Sequence, residues 1–171
     1  NNMSQLLTMN LLFGHTETNN VLGLSELLPL NASARDNNTI EATLTGGNLS
    51  LIDISIKDIW EIETKHHIIF IEDVAEKAHK IIRTLKYLSR IHLFDDVKAV
   101  IFGDFTCDPI GYQKDEQAQN HHAILKTLSS FAEHHPFPVL YTKQFGHGKT
   151  NFPLLYSTPY RLQLGEAPQL R

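Results

Sequence analysis

Two short segments gather residue types that can move protons. Ile69–Asp73 reads IFIED, an apolar run that stops at two adjacent carboxylates, Glu72 and Asp73. Phe145–Pro153 reads FGHGKTNFP and sets His147 between two glycines just after another apolar run. A buried strand ending on carboxylates delivers charge to the edge of an α/β sheet where such folds contact their ligands. Glycines flanking a histidine let the backbone bend sharply and leave the imidazole uncovered. With an ordinary pKa of about 6.5, an uncovered histidine is suited to general-base work. Glu72 and His147 each close a strand of one sheet, so they can meet although far apart in sequence, and a carboxylate that reaches an imidazole fixes its tautomer. The plainer reading keeps Glu72 in an ion pair with a lysine or arginine and His147 in an exposed turn. Asp73 is expected to cap the following helix, with Glu76 completing a capping-box-like pair.

Other features carry less chemistry. The pairs His66-His67, His121-His122 and His134-His135 suggest a metal only superficially, because adjacent side chains point apart on a strand or a helix; solvated histidines are the expectation. Gly46-Gly47-Asn48 before a helix offers N–H groups to an anion, although a tight turn ending a strand is the simpler expectation. The single cysteine, Cys107, excludes an internal disulfide, a zinc ribbon and a CxxC redox pair, and fits a reducing compartment.

The elements that must hold these residues are read from periodicity. Thr39–Thr45 alternates as a half-buried strand and is expected to stop at Gly46-Gly47; Asn48 caps a short helix with Leu49, Ile52 and Ile56 inward. His67–Asp73, Lys98–Phe105 and Pro138–Lys143 read as buried strands. Between them lie a helix through Arg90, with Ala78, Ile81, Ile82, Leu85, Leu88 and His92 on one stripe, and a long helix from Asp115 to Glu133 with Ile124, Leu125, Leu128 and Phe131 inward. Strand–helix alternation implies parallel pairing. Asn31–Asn38 is turn-forming, Val21–Leu30 is ambiguous between strand and helix, and Leu154–Ser157 and Tyr160–Leu164 read as two short strands. Ser4–Gly14 reads as a short helix whose apolar face has nothing upstream to cover, and the chain opens Asn1-Asn2-Met3, so a fragment is expected.

At 171 residues, 42% hydrophobic and 20% charged, the chain can bury one core and is no disordered polymer. A net charge of −4 without a long basic run argues against nucleic acid as a partner. No apolar stretch approaches the roughly 20 residues that cross a bilayer, so no membrane partner is expected either.

Taken in order, GGNLS (46–50), IFIEDVAEK (69–77) with its helix reaching Arg83 and Leu85, KAVIFGDF (98–105) and FGHGKTNFPLLYSTPYRLQL (145–164) resemble the C-terminal half of the LD-carboxypeptidases. These are serine peptidases typified by muramoyltetrapeptide carboxypeptidase, with the microcin-immunity hydrolases as relatives. The resemblance implies a swivelling, three-layer β/β/α-type domain of the α/β class, a mixed sheet covered by two long helices. It divides the chain into a connecting segment and first strand (1–45), continuing from an N-terminal domain outside the chain, and the C-terminal domain proper (46–171).

The family's glutamate and histidine fall on Glu72 and His147. The resemblance therefore implies a carboxypeptidase that releases terminal D-alanine from muropeptide tetrapeptides, with neither cofactor nor metal, as a cytoplasmic homodimer. The nucleophilic serine belongs to the N-terminal domain, so this chain alone is expected to be inactive. Ser25, in Gly23-Leu24-Ser25-Glu26, lacks the strand–turn–helix setting of a nucleophile elbow. The chain also departs from its relatives at Pro153-Leu154-Leu155-Tyr156-Ser157, where they continue with a Pro-Leu-Gly run. Alternatives are a microcin-immunity-like hydrolase of peptide nucleotides and a non-catalytic domain for muropeptide binding or dimerisation.

Overall fold

The computed structural model describes residues 23–105 and 113–171, together with Gln5, Thr8 and Met9, which are helical. The rest of the helix expected over Ser4–Gly14, and Cys107, lie outside the described residues.

Seven strands form one mixed sheet: β1 (Leu28–Pro29), β2 (Thr39–Asn48), β3 (Ile68–Glu72), β4 (Ala99–Asp104), β5 (Val139–Gly146), β6 (Pro159–Gln163) and β7 (Gln169–Leu170). Their order is β1-β5-β4-β3-β2-β6-β7. β2 to β5 pair in parallel, as the alternation requires, while β1, β6 and β7 add antiparallel edges. β2 changes partner halfway: Thr39–Thr43 face β6 and Leu44–Asn48 face β3. The sheet is thereby divided into a parallel body and an antiparallel lobe, and the sequence division at 45/46 falls inside this one strand. β2 also runs on through Gly46-Gly47, in register with Phe70 and Ile71, instead of stopping there.

Among residues 23–105 and 113–171, three helices alternate with the strands: α1 (Leu49–Ser55), α2 (Ala78–Arg90) and α3 (Lys114–Glu133). Because β3, β4 and β5 are buried on both faces, their alternate residues feed two cores. Ile69, Ile71, Val100, Phe102, Val139 and Tyr141 pack with Ile81, Leu85 and Leu88 of α2 and Ile124, Leu128 and Phe131 of α3. Ile68, Phe70, Ala99, Ile101 and Leu140 pack instead with Leu24, Leu27, Tyr160, Leu162 and Leu170.

Several local expectations are corrected. Asp73 does not cap α2, which starts only at Ala78; its N-cap residue, Lys77, makes no side-chain cap bond. The free end is met from α3, where Asn120 Oδ1 accepts from Ala78 N at 3.1 Å and Asn120 Nδ2 donates to the Glu76 carbonyl at 3.1 Å. Glu76 pairs with Lys80 one turn on rather than closing a capping box. His92 lies past the helix, exposed, with Nδ1 3.1 Å from Asp95 Oδ2. Leu154–Ser157 is a loop, held by Tyr156 Oη donating to the Gly46 carbonyl and Ser157 N to the Leu44 carbonyl. Asn48 does cap α1, its Oδ1 accepting from Leu51 N at 3.2 Å.

Candidate active site

β3 and β5 are separated in the sheet by β4, so ordinary strand ends would leave Glu72 and His147 two strands apart. A break in register brings them together. β4 and β5 pair regularly up to Phe102–Tyr141, then shift so that Asp104 stands opposite Gly146. The chain thus crosses the end of β4 in close contact. A Cβ on Gly146 would lie 2.7 Å from the Asp104 carbonyl oxygen and 3.3 Å from Glu72 Cβ, and one on Gly148 only 1.9 Å from Asp104 Oδ2. The two glycines around His147 are therefore demanded by packing against Asp104. Asn151 Oδ1 accepts from Gly146 N at 3.2 Å, and Phe152 N donates to the Gln144 carbonyl at 2.7 Å, closing the loop on itself.

Gly146 also has φ +110°, a region L side chains rarely adopt. Gly146→Ala is accordingly expected to cost about 1–3 kcal/mol and to lower the melting temperature by several degrees in a thermal scan. An unchanged melting temperature would show that this crossing is looser than described.

At the crossing, His147 Nδ1 is hydrogen-bonded to Glu72 Oε2. The carboxylate is buried and the ring half exposed, side-chain exposures being 11% and 48%. An ionised carboxylate only accepts, so in the neutral ring this contact assigns the proton to Nδ1 and leaves the lone pair on Nε2. Both residues line a cavity of about 440 Å³. Phe70, Phe152, Leu154 and Tyr156 form its apolar wall, and Asn48 and Asn151 contribute amides. Tyr156, from the segment that departs from the Pro-Leu-Gly pattern, packs edge-on to Phe70 with ring centroids 5.4 Å apart. Burial, and after it the Glu72 carboxylate, push the Tyr156 hydroxyl above its ordinary range, so it stays protonated and donates to the Gly46 carbonyl at 2.8 Å.

The adjacent carboxylate goes elsewhere. Asp73 accepts from Asn48 Nδ2, Ser50 N, Ser50 Oγ and Val74 N, at 2.8–3.1 Å. Ser25 sits on an irregular segment whose backbone, with that of Glu26, donates to Gln144 Oε1. The His134-His135 pair diverges: His134 Nδ1 meets the Ser130 carbonyl, whereas His135 Nε2 meets Ser89 Oγ. Among the described residues no three His, Cys, Asp or Glu side chains gather as a metal site would require.

Sequence reasoning missed Asp104, buried at the end of β4 against the histidine loop. The signal was present, since FGD repeats the pattern of an apolar strand ending in a carboxylate that singled out IED.

The LD-carboxypeptidase C-terminal domain matches residues 41–162. A protein of Rickettsia conorii named "Putative carboxypeptidase" is 38% identical over 135 residues, which cover 79% of this chain and 39% of that protein. The crystal structure of muramoyltetrapeptide carboxypeptidase from Oxalobacter formigenes superposes with a TM-score of 0.71 at 24% identity, over 96% of this chain and 53% of the other. The microcin C7 self-immunity protein MccF superposes with a TM-score of 0.62 at 18% identity, over 85% of this chain and 40% of its own; these two likenesses concern the fold. A protein of the same name from Rickettsia prowazekii is 32% identical over 148 residues, and the chain spans about two-fifths of the length of these two Rickettsia relatives, 39% of the first and 43% of the second. On the family match, which takes in more than half of the chain, the chain belongs to the LD-carboxypeptidase family and carries its C-terminal domain.

Proposed function

We propose that this domain supplies the base half of a serine carboxypeptidase site, which releases terminal D-alanine from cell-wall muropeptide tetrapeptides. The nucleophilic serine comes from an N-terminal domain of the same protein, and the working enzyme is a cytoplasmic homodimer. The observation that carries this reading is the buried Glu72 carboxylate on the Nδ1 of a half-exposed His147, facing a cavity with an apolar wall.

In this mechanism the serine hydroxyl attacks the carbonyl joining an L-centre to D-alanine, and His147 Nε2 takes its proton. The C–N bond breaks as Nε2 returns that proton to the leaving amine. Water then attacks the acyl-serine as Nε2 takes its proton; the acyl C–O bond breaks, Nε2 returns that proton to the serine oxygen, and the shortened peptide leaves with its new carboxylate. Glu72 stays ionised throughout, holding the ring and stabilising the imidazolium formed at each attack. Burial of the Glu72 side chain, 11% exposed, makes that interaction stronger than it would be in open water.

D-alanine release from a muramoyl tetrapeptide, read by a coupled D-amino-acid oxidase, tests the reading. The full-length protein should release D-alanine, and the 171-residue chain alone should not exceed the buffer rate, because a base without its nucleophile retains little of a triad's effect. Release by the chain alone would contradict it. So would a full-length protein inert to the tetrapeptide that cleaves a peptide nucleotide, the outcome that favours the microcin-immunity alternative.

A further inference from the structure

Glu72 and Asp73 are neighbours in sequence and both buried, yet they serve opposite sides of the β3 terminus. Asp73 accepts four hydrogen bonds, three of them from Asn48 and Ser50 at the junction of β2 and α1: Asn48 Nδ2 at 2.9 Å, Ser50 N at 3.1 Å and Ser50 Oγ at 2.9 Å. The fourth comes from Val74 N at 2.8 Å. The Asn48 amide is consequently fixed at both ends, Oδ1 by Leu51 N and Nδ2 by Asp73 Oδ1, and cannot flip without losing both bonds. Only one Nδ2 hydrogen is used by Asp73, no described residue accepts the other, and Asn48 lines the cavity that holds Glu72 and His147.

We infer that Asp73 is a positioning residue, which locks the Asn48 amide so that its remaining N–H serves as a donor to a carbonyl or carboxylate oxygen of the bound peptide. The inference rests on the proposed peptidase reading and assigns the two carboxylates separate tasks. Glu72 orients the base, and Asp73 orients a substrate contact. An amide donor is neutral and short, so it selects an oxygen acceptor by position rather than by charge.

The test uses the full-length protein and the muramoyl tetrapeptide. Asp73→Ala is expected to raise KM about tenfold, the effect of one lost hydrogen bond to substrate, with kcat staying close to that of the parent. Asn48→Ala should raise KM equally, and the double variant should be no worse than either, since Asp73 acts through Asn48. Ser50→Ala removes a donor from Asp73 but leaves the Asn48 bond, so it should lower the melting temperature without moving KM. Multiplying effects in the double variant, an equal rise of KM in Ser50→Ala, or a kcat loss in Asp73→Ala as deep as that of Glu72→Gln would each overturn the inference. Should Asp73→Ala not fold, an unchanged KM in Asn48→Ala overturns it by itself. If the parent protein releases no D-alanine, the peptidase reading fails and the lock is tested separately, by NMR of protein labelled with 15N-asparagine. The Asn48 side-chain amide signals should then move on Asp73→Ala and hold their place on Ser50→Ala; signals indifferent to Asp73→Ala would contradict the lock.

Discussion

His147→Ala in the full-length protein is expected to lower kcat by about 10⁴- to 10⁶-fold, the scale on which removing the base of a hydroxyl nucleophile acts in serine hydrolases. A serine hydroxyl is a weak nucleophile at neutral pH, and no other described side chain joins Glu72 in a hydrogen bond that would prepare a base facing the cavity. The substitution should spare the fold. The His147 side chain is half exposed, and the loop is held by Asn151, Phe152 and the Gly146–Asp104 pairing rather than by the ring. Circular dichroism and the melting temperature should therefore stay close to the parent while turnover collapses. Near-normal turnover in a folded His147→Ala protein would remove the histidine from the mechanism.

Glu72→Gln is expected to cost about 10³- to 10⁴-fold in kcat, less than loss of the histidine but far more than any effect on binding. The amide is nearly isosteric with the carboxylate and can still touch Nδ1, so ring position alone is not what is lost. What disappears is the negative charge that stabilises the imidazolium, and the acceptor-only character that forces the proton onto Nδ1. A glutamine can turn its N–H₂ toward the ring, placing the proton on Nε2 and leaving the wrong tautomer before the serine. Because Glu72 is buried and its neutral replacement avoids burying a charge, the variant should melt no lower than the parent. A kcat within tenfold of the parent would mean that Glu72 merely braces the loop.

Much of this arrangement was legible in the residues themselves. β-branched and aromatic runs ending in IED and FGD mark strands buried on both faces, and the helical stripe of Ile81, Leu85 and Leu88 marks what covers them. That Glu72 and His147 could meet was legible because both terminate such strands, whereas the register break that carries the histidine loop across the end of β4 was not. Less legible was anything depending on contacts between distant segments. The Asp73–Val74–Ala75–Glu76 stretch looks like a helix start by its own chemistry, but Asn48 and Ser50 draw Asp73 away and Asn120 caps the helix in its place. Gly46-Gly47 looks like a strand end, but pairing with Phe70 and Ile71 carries β2 through it. Leu154–Ser157 has a strand's composition and becomes a loop because its bonds run to Gly46 and Leu44, outside any ladder. In each case a local preference yields to a partner that the chain reaches only after folding.

The claim that His147 and Glu72 act as one unit is tested most directly by a double-mutant cycle on D-alanine release, using the full-length parent, His147→Ala, Glu72→Gln and the combined variant. Groups that work only together lose their effect together. The combined variant should therefore turn over at the rate of His147→Ala alone, the glutamine adding nothing once the ring is gone. A combined loss equal to the product of the two single losses would show that the carboxylate and the imidazole act independently, and would contradict the dyad.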